Sequence, residues 1–227
     1  MSADRPLKTR LLTARGRTTS SQQWLRRQLN DPFVHRARQE GWRARSVFKL
    51  QELDERFALL QRGARVLDLG AAPGSWTQYA VKRGCRVVAV DLVAVEPVAG
   101  AELIQGDFLD LGVQRELRQR LGGPADVVLS DMAASATGRR AIDRLRAEGL
   151  GETVLDFAGE VLVAGGACVV KLIKGSEATL MPRAMGLFAT ARVVRPKATR
   201  ADSSEVYLLA RGLRERAVTG SDDGSSR

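Results

Sequence analysis

The stretch Arg65-Val-Leu-Asp-Leu-Gly70-Ala-Ala-Pro-Gly74 constrains this chain more than any other. A short apolar run of this kind, closed by two glycines and followed from Ser75 by helix-forming residues, predicts a buried strand that turns tightly into a helix. The same alternation then repeats. Strands are predicted over Arg86–Asp91, Ala101–Gln105, Ala125–Asp131 and Ala167–Leu172. Helices are predicted over Ser75–Arg83, Val113–Leu121, about Asp143 to Leu162 (ending at Gly165-Gly166) and Glu177–Leu187. The strands are apolar on both sides, as in a mostly parallel sheet covered by helices on both faces. The last two runs, Ala191–Arg195 and Glu205–Ala210, are joined by too short a link for a crossover helix, so they are read as an antiparallel hairpin. The predicted fold class is therefore α/β: a Rossmann-like, mostly parallel seven-stranded sheet with an antiparallel last strand.

Ahead of this core, Ser20 or Ser21 is placed to cap a short helix through Leu29, and Asp31 one through about Gln39. Apolar residues at 47, 50, 53, 57 and 60 have helical spacing, and Gly63 ends that element. The organisation read from this is a flexible basic arm over 1–20 and one domain over 21–212. Helices fill 21–62 of that domain and the catalytic core fills 63–212, and a Gly/Ser/Asp-rich disordered tail follows over 213–227.

Charge is distributed unevenly. The chain carries a formal +10, and residues 1–49 hold 12 Lys/Arg against 3 Asp/Glu, so nearly all of the excess lies at one end. That is the electrostatic footprint of a polyanion binder. Arg26, Arg27, Arg36, Arg38, Arg43 and Arg45 are candidate phosphate contacts, and Trp24, Phe33, Trp42 and Phe48 interleave with them as possible stacking partners. The two cysteines, Cys85 and Cys168, sit in strand-like runs, and His35 is the sole histidine. No metal site, disulfide framework or Ser/His/Asp scheme is expected. No apolar stretch is long enough to span a bilayer and no apolar signal core follows the N-terminus, so a cytoplasmic protein with no membrane partner is expected.

In open α/β sheets, ligands bind beyond the carboxyl ends of the strands. Four features fall there: the Asp68–Gly74 loop, Asp91, Gly106-Asp107-Phe108 and Ser130-Asp131-Met132. The glycine spacing matches neither the dinucleotide fingerprint nor a P-loop. Carboxylates would repel a pyrophosphate but suit a cationic ligand bearing ribose hydroxyls and an amino group, which is the chemistry of S-adenosylmethionine.

Residues 41–212 resemble the FtsJ/RrmJ (RlmE) family of ribosomal RNA large-subunit methyltransferases. The motifs that carry the likeness are RARSVFKL, VLDLGAAPGSW, VVAVDL, IQGDF, VVLSDMA, GGACVVKLIKG and SSEVYLLA, in that order. The resemblance implies S-adenosylmethionine-dependent methylation of a uridine ribose 2′-hydroxyl in the A-loop of 23S rRNA, within the large ribosomal subunit. It implies a catalytic Lys-Asp-Lys-Glu tetrad at Lys49, Asp131, Lys171 and Glu205. It also implies cofactor contacts at Gly74, Trp76, Asp91, Asp107 and Asp131. One departure is Ala134, where the family often has proline. On this reading Lys171 is the base or the group that steers the 2′-oxygen, Lys49 and Glu205 orient it, and Asp131 bridges Lys171 and the cofactor. A monomer without an obligate protein partner is expected. The alternatives are a transfer RNA or messenger-cap ribose methyltransferase and, in another class, a non-catalytic RNA-binding assembly factor.

Overall fold

The structure, a computed structural model, describes Thr18, residues 29–135 and residues 137–215. The basic arm, the helix expected before Leu29 and the tail from residue 216 lie outside the described residues, as do Trp24, Arg26 and Arg27.

Among the described residues, the helices α1 (Pro32–Gln39) and α2 (Val47–Phe57) precede the sheet. Asp31 caps α1 through its side chain, accepting from the Phe33 N–H at 3.0 Å, and Pro32 supplies the first-turn conformation. The α2 helix stops earlier than its apolar spacing suggests. Ala58 adopts a left-handed conformation, and the buried Asp54 carboxylate accepts from the Leu60 N–H at 2.7 Å, turning the chain toward the sheet. The alternating core follows as β1 (Arg65–Leu69), α3 (Ser75–Lys82), β2 (Arg86–Asp91), β3 (Ala101–Gln105), α4 (Leu111–Leu121), β4 (Ala125–Ser130), α5 (Arg140–Val161), β5 (Leu162–Ile173), α6 (Glu177–Leu187), β6 (Phe188–Val194) and β7 (Glu205–Leu213).

The seven strands form one sheet in the order β3-β2-β1-β4-β5-β7-β6. Pairings from β3 through to β5 are parallel, whereas β7 runs antiparallel to both β5 and β6. The predicted fold class and closing hairpin are thus observed, with β7 inserted between β5 and β6. One boundary differs. Gly165 and Gly166 do not end the preceding helix but lie within β5, where the β4–β5 register shifts between Ala125 and Val127. A Cβ at Gly166 would come within 2.9 Å of the Val163 carbonyl oxygen, so a bulge of this shape requires glycine there.

Strand alternation divides the core in two. Leu67, Leu69, Val128, Val170, Leu172 and Leu208 face α4, α5 and α6, and Val66, Val127, Leu129, Val169, Tyr207 and Leu209 face α2 and α3. The α2 side also receives Asp68, fully buried beneath the Gly70–Gly74 turn, where Oδ2 accepts from the Thr77 hydroxyl at 2.6 Å and Oδ1 has no partner. Burial pushes the Asp68 carboxyl up to about 7, opposed by the Thr77 hydrogen bond and reinforced by the charges of Asp131 and Asp91. Because this value lies above the ordinary aspartate pKa of about 4, the folded state holds the proton more tightly than the unfolded chain. The resulting stabilisation is full below about pH 4 and fades as pH rises to about 7. An Asp68→Asn variant lacks that titration. Its Tm relative to the parent protein is expected to climb between pH 4 and pH 7 and then level off; a constant difference in melting scans across that range would refute the buried titration.

Candidate active site

Three neighbouring strands and one helix aim charged side chains at one place. Lys171 on β5 is paired directly with Tyr207 on β7, and Ile173 with Glu205. Positions 171, 205 and 207 therefore share the face of the sheet that α2 covers. Asp131 directly follows β4, whose Ser130 pairs with Val170, and its N–H is held by the Leu69 carbonyl at 3.1 Å. Lys49 reaches the same place from α2, its side chain only 11% exposed.

The contacts form one chain, two ion pairs joined by a neutral hydroxyl. Lys49 Nζ lies 2.7 Å from Glu205 Oε1 and donates to the Tyr207 hydroxyl at 3.2 Å. The Tyr207 hydroxyl is 2.7 Å from Asp131 Oδ1 and 3.1 Å from Glu205 Oε1. A hydroxyl has one proton and serves one carboxylate at a time, and the Asp131 contact is the shorter. Lys171 Nζ lies 3.3 Å from Asp131 Oδ1 and donates to the Asp131 backbone carbonyl. Burial, followed by the adjacent Asp131 and Glu205 charges, drives the Tyr207 phenol well above its ordinary pKa, so it remains a neutral hydroxyl. Burial alone would raise Glu205. The Lys49 charge and hydrogen bond, with Lys171 and Tyr207 behind them, outweigh it and hold the carboxyl below its usual range.

The structure thus brings Lys49, Asp131, Lys171 and Glu205 together and adds Tyr207, which was not among the residues singled out from the sequence. The available signal was its position two residues after Glu205 on a strand, which puts both on one face. Replacing Tyr207 by Phe leaves Asp131 and Lys49 short of a buried partner, at a cost of about 1–3 kcal/mol. The expected result in a thermal melt is a Tm lower by roughly 2–4 °C for each kcal/mol lost in a chain of this size. An unchanged Tm would mean that water replaces the hydroxyl without loss.

Asp131 also borders a cavity of about 590 Å³ at the carboxyl ends of β1, β2 and β4, within the usual range for a small-molecule site. Asp91 and Asp107 line it with Leu92, Phe108 and Met132. Asp91 accepts from the N–H groups of Ala72 and Val93, which fixes the turns on either side of it. At Gly70 a Cβ would fall 2.5 Å from Met132 Cγ, so a bare backbone is required where the first turn passes the cavity floor. Apolar walls with three carboxylates and a glycine cradle fit S-adenosylmethionine: hydroxyls and an amino group to donate, a cationic sulfur and an apolar ring. Gly74 and Trp76 stand elsewhere. Gly74 precedes α3 at φ 102°, and Trp76 is buried, its indole N–H donating to the Ser46 carbonyl at 2.8 Å and its ring centroid 5.8 Å from that of Tyr207. They shape the turn and the α2–α3 packing and do not line the cavity.

The arginines separate in the same way. Arg43 donates to the carbonyls of Pro73, Glu96 and Pro97, tying two loops together. Arg45 is paired with Asp31 at 2.5 Å and with the Ala198 carbonyl. Both act as internal fasteners, a correction to their reading as open phosphate contacts. Arg36 lies over the Phe48 ring and pairs with Glu40, while Arg38 is exposed. The aromatic rings pack inward: Phe33 on Phe48 at 5.6 Å, and Trp42 on Tyr79 at 6.1 Å. Apolar burial outweighs stacking on a ligand for these residues.

The profile of the FtsJ-like methyltransferase family matches residues 42–213. Proteins named Ribosomal RNA large subunit methyltransferase E are similar over nearly the whole chain. The one from Gluconobacter oxydans (strain 621H) is 51% identical over 217 residues, covering 95% of this chain and 81% of the relative. That from Acidiphilium cryptum (strain JF-5) is 53% identical over 207 residues, covering 90% and 92%. Among solved structures, a Plasmodium falciparum protein assigned as a ribosomal RNA methyltransferase superposes with a TM-score of 0.69 at 26% identity, covering 77% of this chain and 100% of its own. With the fold, the glycine turn and the polar chain in agreement, this protein belongs to the FtsJ-like methyltransferase family.

Proposed function

We propose that this chain transfers the methyl group of S-adenosylmethionine to a uridine ribose 2′-hydroxyl in the A-loop of 23S rRNA, within the large ribosomal subunit. The observation that carries this reading is the shared wall between two cavities. Met132, Ala133 and Ala134 border the carboxylate-lined cavity and also a second one of about 320 Å³, which contains Lys171, Ser203 and Glu205. A donor on one side of that wall and an acceptor on the other would meet beside Lys171 and Asp131. Ala134, where the family often has proline, lies in this shared rim.

When bound, S-adenosylmethionine supplies a methyl carbon made electrophilic by its sulfonium. The protein's contribution is orientation, charge and control of a proton. An ammonium has three donors. Lys171 donates one to the Asp131 carbonyl and is paired with the Asp131 carboxylate, which leaves donor capacity for the 2′-oxygen. This fixes the oxygen in line for attack, and such positioning can account for a large part of a rate enhancement. In the neutral form, Lys171 can take the hydroxyl proton. The Asp131 carboxylate attracts the cationic sulfur on one side and the Lys171 ammonium on the other. Lys49 neutralises Glu205, which holds the far side of the acceptor cavity open to a ribose hydroxyl. A ribosomal RNA substrate implies a reaction in the cytoplasm.

The test is methyl transfer from labelled S-adenosylmethionine to large subunits that lack the modification, followed by nucleoside analysis. Label is expected as 2′-O-methyluridine. With Lys171→Ala the rate is expected to fall by at least about a hundred-fold, while calorimetric binding of S-adenosylhomocysteine persists. Label on transfer RNA alone would move the substrate, and full activity in Lys171→Ala would remove the lysine from the mechanism.

A further inference from the structure

A third cavity, of about 400 Å³, adjoins the acceptor cavity and shares Ser203 and Glu205 with it. Lys49, Arg45 and Arg200 line it against Asp202 and Glu205. Arg200 lies on the β6–β7 connection, far in sequence from the basic N-terminal region. It is held from behind: its Nε donates to Asp31 Oδ2 at 3.1 Å, while its side chain stays 28% exposed. Asp31 is itself fixed, with Oδ1 capping α1 and Oδ2 also holding Arg45. Among the described residues, the two terminal nitrogens of Arg200 have no hydrogen-bond partner, whereas both of those of Arg45 are engaged. Arg195 and Lys197, both exposed, lie on the same connection and raise the local positive charge.

The position of this guanidinium has a chemical consequence. A ribose 2′-oxygen is vicinal to the 3′-oxygen that carries the next phosphate. A strand whose 2′-oxygen lies at Lys171 must therefore set a phosphate close by, and the row of cavities leads from Lys171 past Glu205 to Arg200. A planar guanidinium held at Nε and open at both terminal nitrogens is suited to bidentate contact with phosphate oxygens. We propose that Arg200, braced by Asp31 and Arg45, binds the phosphate on the 3′ side of the target ribose and so sets the register of the RNA strand. This rests on the RNA ribose-methylation reading above.

The experiment is steady-state methyl transfer by the full chain to unmodified large subunits at several potassium chloride concentrations. It compares the parent protein with Arg200→Gln, Arg200→Lys and a distant control, Arg120→Gln on α4. Arg200→Gln is expected to raise KM for the subunit about ten-fold, the loss of one charged hydrogen-bonding contact. It is also expected to flatten the slope of log kcat/KM against log salt by about 0.7–0.9. The KM for S-adenosylmethionine and kcat should stay within two-fold, roughly the scatter of such comparisons. Arg200→Lys keeps the charge but not the fork, so it should retain the parent slope with an intermediate KM. Should Arg200→Gln fail to fold, Arg200→Lys carries the test through its KM, and a parent-like KM there would overturn the subsite. A parent-like KM and slope in Arg200→Gln would do the same, as would a fall in kcat alone, which would make Arg200 a support for Glu205. A parent protein inactive on subunits and on 23S rRNA would instead remove the underlying reading, an outcome distinct from these.

Discussion

The antiparallel register that sets Lys171 on β5 opposite Tyr207 on β7 decides which face of the sheet carries the polar chain, and the rest of the site is arranged around that pairing. A slip of β7 by one residue would turn Glu205 and Tyr207 away from Lys171 and toward α5 and α6, into the layer that holds Val170 and Leu172. The pairing is protected against such a slip by apolar residues of β7 such as Leu208, which would have to exchange sides with Glu205 and Tyr207. The hydrophobic division of the sheet thus acts as the positional control of the chemistry. The final antiparallel strand has a physical role too: running against β5, it carries Glu205 and Tyr207 back past Lys171 at the carboxyl end of the parallel strands.

Gathering two lysines and two carboxylates in a half-buried space is costly unless the charges alternate and the remaining hydrogen-bonding capacity is used. Lys49–Glu205 and Lys171–Asp131 satisfy the first condition, and the Tyr207 hydroxyl joins the pairs to satisfy the second. A buried phenol flanked by carboxylates cannot readily ionise, so it links the pairs without adding a charge. Removing any one member leaves its neighbour desolvated and unpaired, and such a group of residues should respond to mutation as a unit.

Much of this was legible in the sequence because it depends on local pattern. Alternating apolar runs disclosed the sheet, the short link before Glu205 disclosed its antiparallel close, and acidic residues at strand ends disclosed the cavity. The tetrad positions came from motif resemblance, since no local rule links Lys49 to a residue 156 positions away. What escaped the sequence depends on long-range packing. Gly165 and Gly166 look like a helix stop, and only pairing with β4 reveals a bulge. Trp76 lies in a cofactor motif, yet the approach of α2 buries it against Tyr207. Arg43 and Arg45 belong to a basic stretch, but carbonyls and an aspartate from other segments engage their terminal nitrogens.

That last outcome changes how the charge asymmetry bears on RNA. A count of formal charges treats every arginine alike, whereas a phosphate responds only to donors left open and to fields that are not locally cancelled. Arg45 is desolvated and faces Asp31, so its charge acts inward and stiffens the seat on which Arg200 rests. Arg200, whose terminal nitrogens are open, comes from the β6–β7 connection, a segment that the N-terminal concentration of charge gives no reason to single out. A basic N-terminus can draw a polyanion toward the protein over the Debye length, but strand register must be set within hydrogen-bonding distance of the ribose. Approach and register are therefore separable tasks, and the proposal for Arg200 assigns the second to the β6–β7 connection.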